Sequence, residues 1–234
     1  MSRVLLLHAF PFDGRMWDDV AERLHIAGHE VAAPDLPPEP GLASLGAWAD
    51  RVLEEEPGAF VAVGSSMGGY LALELWRRAP ERIEGLALIG SRAADDPPEV
   101  RDNRDQTIAF LRESGVEELW PGLSERLLPA DAPADVVARA REIALAQDTD
   151  RLVSALAAMR DRPDARSLLP GIAVPALVVR GEEDAVVPLE EARAVADALP
   201  QGELVRLAGT GHLPPLEWPE ETARVVLRFL QEVP

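Results

Sequence analysis

Val61-Ala62-Val63-Gly64-Ser65-Ser66-Met67-Gly68-Gly69-Tyr70-Leu71-Ala72-Leu73-Glu74-Leu75 passes from an apolar run through a glycine-rich turn into a helical pattern. The apolar run from Phe60 to Val63 suits a strand buried in a parallel sheet. Leu71, Leu75 and Trp76 then recur at helical spacing. The chain must therefore turn from strand to helix across Gly-x-Ser-x-Gly, with backbone pressed against backbone. Gly64 and Gly68 lack the Cβ atoms that would collide there. Ser66 falls at the tip of the turn, on strained backbone, at the carboxyl edge of the sheet. Behind it the helix N-terminus presents free N–H groups and a positive dipole end. That setting suits a nucleophile and the oxyanion it generates. On this motif alone, a Ser that merely caps the helix is the competing reading.

The elements on either side repeat the same alternation. Val4-Leu5-Leu6-Leu7 reads as a first buried strand, and His8-Ala9-Phe10-Pro11-Phe12-Asp13-Gly14 as the turn after it. Met16, Trp17, Val20, Leu24 and Ile26 mark an amphipathic helix that stops near Gly28. Val31-Ala32-Ala33 is a short strand ended by Pro34-Asp35-Leu36-Pro37-Pro38. Leu42 to Leu53 is a helix, and Leu86-Ala87-Leu88-Ile89 is the strand after the Ser66 helix. Val174 to Val179, Leu189 to Leu199, Leu204 to Leu207 and Pro219 to Leu230 continue as strand, helix, strand, helix. The pattern predicts an α/β fold with a doubly wound, mainly parallel sheet of about six strands.

Between Ala93 and Leu168 the alternation stops. Helical patterns run over Thr107–Ser114, Val116–Leu128, Ala134–Ala146 and Arg151–Met159, with prolines between them. Because this stretch follows the carboxyl end of a strand, where binding loops sit, it is expected to be a helical cap, residues 93–168. The core is then 1–92 and 169–234. Trp120, Leu123 and Met159 are candidate pocket residues of the cap, although packing of the cap helices on one another accounts for them equally well. Tyr70 and Trp76 are expected in the core. Arg92 stands either to hold a substrate carboxylate or to pair with Asp95 or Asp96.

Composition narrows the function. The 234 residues suit one domain, and a 47% hydrophobic, 27% charged balance is that of an ordinary globular protein. The apolar run at the start is too short for a secretory or membrane-spanning segment, so no membrane role and a cytoplasmic setting are expected. There is no Cys, which removes disulfides, thiolate nucleophiles and Cys-ligated zinc. A formal net charge of −18 repels a phosphate backbone, so no nucleic-acid partner is expected. Every basic residue is Arg, and Asn occurs once, at Asn103. Scattered His residues give no metal-ligand spacing, and no phosphate loop is present, so neither metal nor cofactor is expected.

Three polar residues share one sheet edge. Ser66 follows the third strand, Asp184 the fifth and His212 the sixth, in the order Ser, Asp, His. Acyl transfer requires a nucleophile, a base that takes its proton and an acid that holds the base's tautomer. At this point the chain resembles the α/β-hydrolase family. The resemblance rests on the early strand running into His8-Ala9-Phe10-Pro11 and on the elbow Gly64-Ser65-Ser66-Met67-Gly68-Gly69. It also rests on Gly181-Glu182-Glu183-Asp184-Ala185-Val186-Val187-Pro188 and on Gly211-His212 with Glu217 and Pro219. Small lidded carboxylesterases and 3-oxoadipate enol-lactonase-like hydrolases are the nearest in pattern.

The resemblance implies a serine hydrolase that cleaves an ester or lactone of a small carboxylic acid through an acyl-enzyme. In it Ser66 is nucleophile, His212 base, Asp184 the orienting acid, and the N–H groups of Phe10 and Met67 the oxyanion hole. Ser at the elbow argues against relatives with an Asp nucleophile, the haloalkane dehalogenases and epoxide hydrolases. Thioesterase, carbon–carbon hydrolase and perhydrolase chemistry use the same triad, and a ligand-binding protein with little turnover is the alternative of another class. Glu182 and Glu183 flank Asp184 but look like solvated loop charges. Asp35 is expected to order the Pro-rich loop, His8 to be structural, and His25 and His29 to lie at the surface. The sequence departs from the family in two ways. The usual N-terminal hairpin is missing, which leaves a sheet edge open to homodimer contacts. The usual His-Gly after the first strand is His8-Ala9.

Overall fold

The computed structural model describes residues 1–37, 39 and 41–234. The Pro38 end of the expected turn after the second strand lies outside these. The first half runs β1 (Arg3–Leu7), α1 (Asp18–Ile26), β2 (Glu30–Ala32), α2 (Leu45–Glu55), β3 (Phe60–Ser65), α3 (Met67–Arg78) and β4 (Ile83–Ile89). Then come α4 (Pro98–Leu127), α5 (Ala134–Leu145) and α6 (Thr149–Arg160), followed by β5 (Ala176–Gly181), α7 (Leu189–Ala198), β6 (Gly202–Leu207), α8 (Pro214–Glu217) and α9 (Pro219–Leu230).

The six strands form one sheet in the order β2-β1-β3-β4-β5-β6, and every neighbouring pair is parallel. All six residues of β3 and all six of β5 are buried, as the covered faces of a parallel sheet require. The chain leaves β1 toward β2 and returns to β3 on the other side. The strand order therefore reverses between β1 and β3, where open α/β sheets hold their ligands. The loops that follow β1 and β3 carry Phe10 and Ser66.

Close approach at the elbow explains its glycines. A Cβ on Gly64 would stand 2.3 Å from the Gly68 carbonyl oxygen, and one on Gly68 would stand 2.0 Å from that of Leu7. With only hydrogens there, α3 packs onto β3 and β1 and its first turn faces the sheet edge. Trp48 on α2 and Phe229 on α9 are fully buried on opposite faces, and α9 buries Ala223, Val226 and Leu230 along one stripe.

The insertion between β4 and β5 is helical, as expected, but its first helix begins at Pro98 rather than Thr107. The expected break between Ser114 and Val116 is present. Gly115 has φ 80° and ψ 175°, so α4 is two helical segments meeting at that residue. The second segment runs on through Pro121, within the stretch expected to be helical from Val116 to Leu128. Among the described residues no helix is long and apolar enough to cross a membrane.

A buried ion cluster ties the insertion to the sheet. Asp96, just beyond β4, accepts from Arg104 on α4 and pairs at 2.6 Å with Arg162, just beyond α6. Arg162 also donates to the Ala94 and Met159 carbonyls and lies 4.2 Å from the centre of the Tyr70 ring. Burial works to raise the Asp96 carboxyl, but Arg162 and Arg104 hold it below its ordinary value. A folded value below the unfolded one means that the stabilisation is complete above the ordinary Asp range. It is lost as pH falls through the lowered value. Asp96→Asn leaves two guanidiniums without their acid, so it should cost about 3 kcal/mol of stability. Thermal melts of both proteins against pH should show a gap at neutral pH that narrows in acid. A gap independent of pH would exclude this role for the charge.

Candidate active site

The site is built from four loops at the carboxyl ends of β1, β3, β5 and β6. Ser66 has φ 49° and ψ −109°, and it is the one non-glycine residue at positive φ among those described. Strain of this kind persists only where the surroundings over-determine it. Here Ser66 N–H donates to the Ile89 carbonyl at 2.8 Å, and its own carbonyl accepts from Ser91 Oγ and Gly69 N–H. Its side chain makes no helix-capping bond. The hydroxyl instead meets His212 Nε2 at 2.9 Å.

His212 is buried, and its Nδ1 lies 3.0 Å from each oxygen of the Asp184 carboxylate. The tautomer with a proton on Nδ1 fits these partners, leaving Nε2 as the acceptor facing Ser66. Asp184 Oδ1 also accepts from Val186 N–H at 2.7 Å and Val187 N–H at 3.0 Å. Burial acts to raise the Asp184 carboxyl, but the His212 ring and these two amides keep it below its ordinary value. Asp184 is thus held as an anion beside the ring.

Two residues that the sequence reading did not assign hold these loops. Arg180, a charge inside the apolar strand β5, is buried. It donates to the carbonyls of Gly181, Glu182, Asp184 and Val187, gathering the Asp184 loop around one guanidinium. A lone Arg in Leu-Val-Val-Arg-Gly was the available signal. Glu217 accepts from Gly211 N–H at 2.5 Å and Leu213 N–H at 2.7 Å, the two residues flanking His212. Burial pushes the Glu217 carboxyl up, against those two bonds. Glu217→Gln can accept from only one of the amides, because its NH₂ group meets the other as a second donor. A buried amide left unpaired costs about 1–3 kcal/mol of stability, and the His212 loop it should loosen is expected to lower kcat about tenfold with KM little changed. Steady-state kinetics with an activated ester check this, and a rate within twofold of wild type would exclude it.

Phe10 N–H donates to no acceptor among the described residues, and Met67 N–H, at the first position of α3, has no intrahelical partner. The loop bearing Phe10 is braced by His8. The buried His8 ring accepts from Leu36 N–H through Nε2 at 2.7 Å, and its Nδ1 faces the Ala9 carbonyl at 3.0 Å. Burial lowers the His8 pKa below its ordinary value, so it stays neutral and structural, as expected.

Above Ser66 is a cavity of about 130 Å³. Phe10, Ser66, Tyr70, Val186 and His212 line it from the core. Val100, Asn103, Arg104 and Thr107 form one face of the first segment of α4, and Leu123, Arg126 and Leu127 come from its second. Leu156 and Met159 of α6 close it. Leu123 and Met159 are thus among the lining residues. Trp120 does not line the cavity. It is buried edge-to-face on Phe12, 6.5 Å between ring centres, so packing of the insertion on the core accounts for it. Tyr70 is buried as expected yet forms part of the wall.

The remaining candidates take structural places. Arg92 pairs with neither Asp95 nor Asp96 but with Glu191 at 3.3 Å, and it donates to the Val186 carbonyl. Asp35 accepts from Gly14 N–H. Glu182 and Glu183 are exposed, with Glu182 3.6 Å from Arg206. His25 is exposed, and His29 accepts from Ser2 N–H at 3.3 Å. Among the described residues no cluster of three or more His, Asp or Glu is placed to hold a metal ion.

Residues 4–225 match the model of a family described as the alpha/beta hydrolase family. Among curated proteins, the chain is similar to a pimeloyl-[acyl-carrier protein] methyl ester esterase of Aromatoleum aromaticum. The two are 30% identical over 240 residues, covering 95% of this chain and 96% of that protein. Among solved structures, it is similar to a thermophilic esterase of Thermogutta terrifontis with malate bound. That pair has a TM-score of 0.94 and 33% identity, covering 100% of this chain and 90% of the other. An enol-lactonase of Burkholderia xenovorans gives a TM-score of 0.87 at 25% identity, with 99% and 92% covered.

Proposed function

Because the chain belongs to the alpha/beta hydrolase family, we propose that its ester- or lactone-cleaving activity runs through Ser66 as nucleophile, His212 as base and Asp184 as the acid that orients it. The observation that carries this reading is the unbroken hydrogen-bond line from Ser66 Oγ through both His212 nitrogens to Asp184, at 2.9 and 3.0 Å. Nucleophile–base and base–orienter distances in this range are what acyl transfer needs.

Ser66 Oγ attacks the ester carbonyl carbon as its proton passes to His212 Nε2. The carbonyl oxygen gains the negative charge and is met by Phe10 N–H and Met67 N–H. Removing one donor of this sort typically costs about 3 kcal/mol of transition-state stabilisation. Asp184 stabilises the imidazolium. As the tetrahedral intermediate collapses, the carbon–oxygen bond to the leaving group breaks and His212 returns its proton to that oxygen. Water then attacks the acyl-Ser66, with His212 again as base, and releases the acid.

The helices of 93–168 serve in this reading as the cap, since they supply the outer wall of the cavity over Ser66. The net charge of −18 supports a small-molecule substrate and no nucleic-acid partner. The three-residue edge strand β2 offers a surface for a homodimer.

A fluorophosphonate probe tests the assignment. Intact mass and peptide mapping should find one adduct, on Ser66, that Ser66→Ala abolishes. A folded protein that takes no adduct, or takes it elsewhere, would exclude Ser66 as the activated nucleophile.

A further inference from the structure

The cavity over Ser66 carries a charge opposite to that of the chain. The protein has 41 acidic residues against 23 basic ones. Yet two arginines, Arg104 and Arg126, line the cavity, and no Asp or Glu among the described residues does. The acid behind this wall, Asp96, is shared between Arg104 and Arg162, so that cluster keeps an excess positive charge. Arg126 is exposed and has no hydrogen-bond, ion-pair or ring partner among the described residues. Leu123 and Leu127, on the same side of α4, line the same cavity, as do the neutral hydrogen-bonding side chains of Asn103 and Thr107.

An unpaired guanidinium presents a planar fork of donors that matches a carboxylate. A field from −18 charges would repel an anionic substrate, so a local positive wall is what such a substrate would require. At about 130 Å³ the cavity is small, which favours a short chain in the part enclosed.

We infer that the substrate is a small ester or lactone bearing a carboxylate at the end remote from the reacting carbonyl, selected by Arg126 with Arg104 behind it. The inference rests on the reading of Ser66 as the nucleophile facing the same cavity.

The test compares kcat/KM for charged and neutral esters of matched length. Monomethyl glutarate against dimethyl glutarate places the charge in the acyl part, and acetoxyacetate against ethyl acetate places it in the alcohol part. In wild type the charged member of one pair should be preferred, and added NaCl should erode that preference. Arg126→Gln should lower the charged-to-neutral ratio about tenfold, equivalent to ~1.4 kcal/mol. Arg126→Lys should retain part of it. Ratios that move less than twofold in both pairs would overturn the proposal. Calorimetric titration of Ser66→Ala with glutarate keeps this separate from the catalytic reading. If no ester is turned over, the Ser66 assignment fails. Glutarate binding that weakens about tenfold on adding Arg126→Gln would still support the anion site, whereas absent or unaltered binding would overturn it.

Discussion

Ser66→Ala should lower kcat by roughly five to six orders of magnitude, the loss seen when a triad acts as one unit. The side chain's hydrogen bond is to His212, so the replacement removes the nucleophile and leaves the frame. Ser66 N–H still reaches the Ile89 carbonyl, and the residue 66 carbonyl still accepts from Ser91 and Gly69. His212 and Asp184 keep each other, and the amides of Phe10 and Met67 stay where they are. The remnant rate should then be that of a bound ester polarised by those amides and attacked directly by water. Single-turnover and steady-state kinetics with p-nitrophenyl acetate measure it, alongside a melt showing that the protein is folded. A loss of less than tenfold would remove Ser66 from the chemistry.

Asp184→Asn should lower kcat by about four orders of magnitude, through the tautomer of His212 rather than through loss of packing. Two backbone donors that meet Asp184 Oδ1 fix the orientation of the replacement amide. Val186 N–H and Val187 N–H point at that oxygen at 2.7 and 3.0 Å. In the amide, the oxygen must take that place, because an NH₂ group there would oppose two other donors. The NH₂ group then takes the place of Oδ2, 3.0 Å from His212 Nδ1, and its donation favours the tautomer in which Nδ1 accepts. The ring proton moves to Nε2 and points at Ser66 Oγ, so the base arrives already protonated. Substrate binding does not involve this residue, so the loss should fall on kcat with KM nearly unchanged. A rate within a hundredfold of wild type would mean that the amide had flipped or that another group orients the ring. Glu182 and Glu183 are poorly placed for that, being exposed on the loop.

How much of the site could be read from the chain varied residue by residue. Ser66 was legible because its neighbours are under a local constraint: a strand must become a helix within two residues, and only glycines fit at 64 and 68. Asp184 and His212 were legible from their position just beyond apolar runs and from the resemblance of their motifs. Arg180 and Glu217 hold those two loops; a lone Arg in an apolar strand marks the first as unusual, but which backbone groups the two meet is set by the fold. Trp120, open between pocket and packing, proves to pack on Phe12, and Tyr70, expected in the core, is buried there and also lines the cavity. An aromatic side chain has the same periodicity whether it faces a neighbouring helix or a cavity, and the two differ only in what lies opposite.

The alternation of strands and helices, the helical insertion after β4, and the sheet edge on which Ser66, Asp184 and His212 stand are all written in the chain. Those features follow from hydrophobic period, glycine placement and chain order, which are local properties. Which face of α4 looks inward, the pairing of Asp96 with Arg104 and Arg162, and the unpaired place of Arg126 at the cavity wall arise only on folding. Partners of this kind lie tens of residues apart, and their pairing depends on how two helical segments meet at Gly115 and settle over the sheet. Charge along the chain is a sum, −18 for the whole, whereas the field a substrate meets depends on which few charges the fold leaves uncompensated at one surface.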